Sequence, residues 1–287
     1  MSAPAPPVAI VTDSTAYLPA EDVERHRITV VPLSVAVGDR VRSEGGPEEA
    51  AEVAEALRHR VQVTTSRPTP EAFAEAFRTV AEAGAREILS LHLSAELSGT
   101  FEAAELAAAQ APVPVRVLDT RMVAMALGYA VLAAASAAER GAGLDEVAAA
   151  AAARAEASSG FFYVDTLEYL RRGGRIGAAR AMLGSALAVK PLLHLADGSI
   201  QPLEKVRTTS RAIARLEEIA VARAGEGEVD IAVHHLAAAE RAGELADRLR
   251  KRLPGLRDLH QSEVGAVIGA HVGPGLLGVV VSPRSPR

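Results

Sequence analysis

Ser98, Gly99 and Thr100 set two hydroxyls around a glycine at the mouth of an alanine-rich run. A helix starting there offers unpaired N–H donors and positive dipole potential, so hydroxyls beside it can complete a site for a carboxylate or phosphate. The same residues can serve as an ordinary N-cap instead. Neither opens a full capping box, because Phe101 and Ala103 stand three residues on. Thr64, Thr65 and Ser66 pose the same two readings: Pro68 and Pro70 stiffen the turn, Thr69 can cap the following helix, and the three hydroxyls can face a ligand. His271 precedes Gly273-Pro274-Gly275, where backbone can approach closely. Its imidazole can donate to a carboxylate, take a proton beside one, or simply support the turn. The pair His234-His235 at a strand end reads as structural rather than metal-ligating. Arg171, Arg172, Arg175, Arg180 and Lys190 gather around a Gly-Gly break, as a patch for phosphate or an acidic partner surface, or as a solvated helix end.

Several chemistries are excluded. The chain has no cysteine, which removes disulfides, thiolate catalysis and cysteine-ligated metal sites. It has no G-x-x-x-x-G-K-[ST], no G-x-G-x-x-G, no H-E-x-x-H and no G-x-S-x-G, so no recognisable nucleotide, dinucleotide, zinc-protease or serine-hydrolase motif. A net charge of -5 and 3% aromatic residues supply neither the basic excess nor the stacking rings of a broad nucleic-acid surface. No window approaches the roughly 18 apolar residues of a membrane span. The first seven residues, Met-Ser-Ala-Pro-Ala-Pro-Pro, lack the basic and apolar regions of a signal peptide, and a cytoplasmic location is expected.

The elements that must position the hydroxyls alternate along the first half. "VAIVTDS" and "ITVVPLSVAV" read as buried strands, "EILSLHL" and "VRVLD" as further strands, and helical patterns lie between and after them. That alternation predicts an α/β layer with a largely parallel sheet, where ligands meet the loops at the carboxyl ends of strands. "TDST", "TTSRPTP" and "LSAELSGT" fall at such ends. The second half reads as α+β, with "LLHLADGSIQPLEKV" as an Asp-Gly hairpin, "TTSRAIARLEEIAVARAG" as a helix with a hydroxyl start, and "DIAVHH" and "LLGVVVS" as strands. The expected division is an N-terminal α/β domain over residues 1–158 and a C-terminal α+β domain over residues 159–287.

Taken in order, "VAIVTDSTAYLP", "VTTSRPTPEAF", "LSAELSGTFEAA", "VLDTRMVAMALGY", "YLRRGGRIGAA", "KPLLHLADGSI", "RTTSRAIARL" and "HVGPGLLGVVV" resemble the DegV family of bacterial fatty-acid-binding proteins. The resemblance implies a two-domain α/β fold that takes a long acyl chain between and within its domains. It implies that the carboxylate is held by Thr65, Ser66, Ser98, Gly99 and His271. It also implies a fatty-acid-binding subunit with no catalytic residue or cofactor of its own. Such a subunit would present its ligand to a separate ATP-binding fatty acid kinase subunit, which docks through Arg175 and makes an acyl phosphate for phospholipid synthesis. Two residues depart from the family pattern: Arg67 stands where Gln is common, and Ala95 replaces a commonly polar residue. The anion-binding loops leave two other readings open. One is a stand-alone phosphotransferase or esterase using Ser98 and His271; the other is a regulatory lipid-binding protein without a kinase.

Overall fold

A computed structural model describes residues 7–183 and 190–284 of the chain. Residues 1–6 of the N-terminal stretch read as lacking a signal peptide, and residues 184–189 of the basic segment, lie outside the described residues. The chain divides into two compact units, Met1–Leu33 with Ser66–Glu156, and Ser34–Thr65 with Ala157–Arg287.

The first unit is built on a parallel sheet of order β2-β1-β6-β7. Its strands are β1 (Val8–Asp13), β2 (Thr29–Val31), β6 (Glu87–His92) and β7 (Val115–Asp119). Alternation sorts their side chains to two faces. Val8, Ile10, Leu89 and Leu91 pack with α5 (Met125–Glu139) and α6 (Leu144–Ala157). Val11, Val31 and Ile88 pack with Phe73 and Phe77 of α3 (Pro70–Glu82) and with Ala103, Ala104 and Ala107 of α4 (Thr100–Ala108). Both faces are covered, which is why β1 and β6 read as near-continuous apolar runs. The short α1 (Ala20–Arg25) links β1 to β2. Because β1 runs on to β2 on one side and pairs with β6 on the other, the switch point of the sheet falls between β1 and β6. The turn after Asp13 and the loop Leu93 to Gly99 leave the sheet there.

The second unit holds a mixed sheet of order β10-β9-β8-β13-β11-β12. Its strands are β8 (Ser159–Tyr163), β9 (Lys190–Ala196), β10 (Ser199–Val206), β11 (Val229–His235), β12 (Leu256–Glu263) and β13 (Leu277–Pro283). Asp197 and Gly198, both at positive φ, turn β9 into β10 as the Asp-Gly signal predicts. Helices α8 (Thr209–Ala224) and α9 (Ala239–Arg252) cover one face with Leu216, Leu245 and Leu249. Thr208 accepts from the Arg211 N–H, the expected hydroxyl start of α8. A small sheet, β4-β3-β5, comes from β3 (Ser34–Val37), β4 (Arg40–Ser43) and β5 (Val63–Ser66), with α2 (Pro47–Arg58) between β4 and β5. The remaining helices are α7 (Glu168–Arg172) and α10 (Ala266–Val272). No described helix is long and apolar enough to cross a membrane.

Two expectations are corrected. The single strand read over residues 28–37 is two strands in two sheets, because Pro32 has no N–H for a ladder and the chain turns after β2. The Ser14 hydroxyl accepts the Leu33 N–H at 3.0 Å just before β3 begins. Consequently, the undivided domain 1–158 does not hold: residues 34–65 cluster with the C-terminal residues. Their α2 residues Val53 and Leu57 share a core with Ala266 and Ala270, a packing preference no local pattern encodes.

Candidate functional site

In the second unit, β5 delivers Thr65 and α10 delivers His271. His271 lies in the last turn of α10 rather than in the glycine turn that follows. Its Nε2 lies 2.9 Å from Thr65 Oγ1, and its Nδ1 is buried without a hydrogen-bond partner. The backbone of Gly173 covers that edge of the ring: a Cβ there would fall 2.1 Å from Nδ1, so the close approach needs glycine. Gly273, at φ +75, ends α10 with no room for a side chain against the ring of Tyr169. Burial, reinforced by the charge of Arg175, pushes His271 down to about 4, so the imidazole is neutral at pH 7. A neutral ring carries one hydrogen. On Nδ1 it would be a buried donor with no acceptor, the costlier choice, so partner accounting assigns it to Nε2. Nε2–H then donates to Thr65 Oγ1, and the Thr65 hydroxyl keeps its own hydrogen for another acceptor. Arg175 is exposed and donates from Nη1 to Gly173 O at 2.7 Å.

In the first unit, the loop after β6 delivers Ser98. The Leu97 and Ser98 N–H groups both donate to Ser94 O, at 2.9 and 3.1 Å, which folds the loop back. Ser98 Oγ lies 2.9 Å from Thr100 Oγ1. Gly99 is the N-cap residue of α4 and no side chain caps it, so the ordinary N-cap reading of Ser98 or Thr100 is not what the structure shows. By contrast, Thr69 does cap α3, accepting the Ala72 N–H at 3.3 Å. Arg67 does not point away to solvent: its Nη1 donates to Gly99 O at 3.2 Å, which sets a cation beside the Ser98 loop. The Ala95 departure costs the loop no anchor, because the Ala95 N–H donates to Asp119 Oδ1 at 3.3 Å through the backbone. Ser66 closes β5 and is exposed.

Beneath this loop lies a buried polar network that the motifs did not reveal. Asp13 Oδ1 accepts from the N–H and hydroxyl of Thr15, at 3.0 and 2.6 Å. Its Oδ2 takes the Leu93 N–H at 3.0 Å and lies 3.1 Å from His92 Nδ1. His92 Nε2 lies 2.7 Å from Ser90 Oγ. The order Ser–His–Asp resembles a hydrolytic triad, but all three residues are 0% exposed, and no substrate can reach the serine. The network is therefore a scaffold: it ties the ends of β1 and β6 to the two loops at the switch point. Alternation was the available signal, since Ser90 and His92 in "EILSLHL", and Val11 and Asp13 in β1, share faces at a spacing of two. His234 and His235 serve the second unit as buried residues, with His234 Nδ1 3.0 Å from Ser262 Oγ. Among the described residues, no group of three or more His, Asp or Glu is placed to hold a metal ion.

Comparison with known proteins gives the family. The family model described as "Uncharacterised protein, DegV family" matches residues 7–284. The chain belongs to the DegV family. A DegV domain-containing protein of Streptomyces coelicolor is 68% identical over 277 residues, covering 96% of this chain and 99% of the relative. A solved structure concerned with fatty acid binding by a DegV family protein of Thermus thermophilus superposes with a TM-score of 0.91 at 33% identity, covering 96% of this chain and 99% of that one. DegV of Bacillus subtilis, described as a fatty acid binding protein, gives 0.88 at 32% identity, again covering 96% and 99%. The mixed α/β architecture with one parallel and one mixed sheet is thus the DegV fold.

Proposed function

We propose that this protein binds a long-chain fatty acid without a covalent bond and presents its carboxylate to a separate ATP-binding kinase subunit. The carboxylate is assigned to the hydroxyls of Thr65, Ser66 and Ser98, the Gly99 backbone and His271. One observation carries the reading: His271 Nε2 lies 2.9 Å from Thr65 Oγ1, and with the hydrogen of the neutral ring assigned to Nε2 the threonine hydroxyl hydrogen is left for an anionic oxygen. The description of the Thermus thermophilus and Bacillus subtilis relatives by fatty acid binding supports the ligand class. Physical chemistry supports the division of labour. Burying an acyl tail contributes roughly 0.8 kcal/mol per CH₂ before ordering costs. A carboxylate leaving water needs donors to replace it, and the assigned residues supply them. In the kinase step a carboxylate oxygen attacks the γ-phosphorus of ATP, the bond to the β–γ bridging oxygen breaks, and ADP leaves an acyl phosphate. With no phosphate-binding loop motif here, ATP is assigned to the partner, and exposed Arg175 to its docking. The cytoplasm is the proposed location, and phospholipid synthesis the proposed use of the product.

Titration with oleate or palmitate tests the site. Ser98→Ala and Thr65→Val should each weaken binding by about 10- to 100-fold, the worth of one hydrogen bond to a charged group. Unchanged affinity in both variants would remove the assigned head-group site. Arg175→Ala tests the partnership: fatty-acid binding should stay within about threefold of wild type while acyl phosphate formation with the kinase subunit falls at least tenfold. Equal acyl phosphate formation would reject the docking role of Arg175.

A further inference from the structure

We infer that Glu44 is a positioning residue for His271, acting through the helix that carries it. The importance of His271 to ligand binding rests on the reading proposed above. Gly265, the N-cap of α10, has no side chain to accept from the first N–H groups of that helix. Glu44 supplies the acceptor from far away in sequence: its Oε1 takes the Val267 N–H at 2.9 Å, and its side chain is buried. Val267 and His271 are four residues apart, one above the other on the same face of the helix, so the Glu44 contact sits one turn before the imidazole.

The same chain segment holds the rest of α10. Val53 and Leu57 of α2 pack against Ala266 and Ala270, and Gly269 closes on Val53. At the far end Thr65 meets His271 Nε2. Residues 34–65 therefore grip α10 at its first turn, along its side and at its last turn. A seven-residue helix is too short to hold its own register by nucleation and propagation alone, so it takes its position from these contacts. Removing the Glu44 acceptor frees the first turn, shifts the ring, and opens the Nδ1 edge that Gly173 closes off.

The test reads His271 itself, in the full chain, by NMR titration of its ring carbon-bound proton. Wild type should titrate at about 4. Glu44→Gln keeps an acceptor oxygen at the same reach and should stay within roughly half a unit of wild type. Glu44→Ala should move the titration up toward the ordinary histidine value and weaken palmitate binding by about tenfold. If Glu44→Ala does not fold, Glu44→Asp, which keeps the charge but loses the reach, carries the same expected upward shift. A variant that melts earlier yet leaves His271 titrating as in wild type would show Glu44 to be structural only and overturn the inference. A shift in Glu44→Gln as large as in Glu44→Ala would overturn it too, because the acceptor would not be the device. The titration needs no ligand, so a wild type that binds no fatty acid would sink the proposed function and leave this result standing.

Discussion

Asp13→Ala should destabilise the first unit by about 3 kcal/mol or more, because the Leu93 N–H, the Thr15 N–H and His92 Nδ1 lose a shared acceptor at a site closed to water, at about 1–3 kcal/mol each. Asp13 makes these contacts at 0% exposure, and its Oδ2 accepts the Leu93 N–H at 3.0 Å. The loss reaches the loop that carries Ser98, since Leu93 is its first residue and the turn closed on Ser94 O follows directly. Asp13→Asn separates the two parts of the effect. It keeps the volume and one acceptor oxygen but turns an NH₂ toward groups that already donate, so it should cost roughly half as much. Urea unfolding followed through amide exchange of β1 and β6 measures both. A loss below about 1 kcal/mol in Asp13→Ala would mean that the network is not what holds the switch-point loops.

Acid should destabilise the second unit through His234. The side chain is fully enclosed in β11; burial, followed by repulsion from His260 and His235, pushes it down to about 3. The folded value lies below the ordinary value of 6.5, so below pH 6.5 the unfolded chain takes up a proton that the folded chain refuses. This contribution is fully present above 6.5 and is lost progressively down to about 3, at up to about 1.4 kcal/mol per pH unit. Between pH 7 and 5 wild type should therefore lose about 2 kcal/mol more than His234→Asn, which has no ring to protonate. His271 adds a loss of the same sign, present above 6.5 and gone near 4, and it is common to both proteins. Amide exchange in the six-stranded sheet at the two pH values gives the difference directly. Equal losses in the two proteins would contradict the account of His234.

The elements were legible where local pattern decides them. The runs 8–13 and 87–92, the Asp-Gly hairpin and the hydroxyl starts at Thr69 and Thr208 all stand as read, because strand burial, turn chemistry and capping act over a few residues. The strand β12 was not legible: in "LRDLHQSE" the adjacent charges Arg257 and Asp258 break any apolar alternation, and the strand takes its place from pairing with β11. The membership of residues 34–65 was hidden for a related reason, since it depends on what α2 meets over two hundred residues later. At the candidate site, Thr65 and His271 were named from their motifs, and the structure joins them. The parts that support them, Asp13 beneath one loop and Glu44 at the start of α10, make contacts at sequence separations of 80 and 223 residues, which no spacing rule reaches. Types that can do chemistry were visible in the sequence; the residues that aim them were not.

The most direct measurement is to denature the purified protein, extract it into organic solvent and identify the released lipid by mass spectrometry, followed by rebinding of the same lipid to stripped protein. The account predicts a long-chain fatty acid at about one per chain, with rebinding weakened by Ser98→Ala and Thr65→Val. An empty extract together with failed rebinding would contradict it and return the hydroxyl loops to a purely structural role.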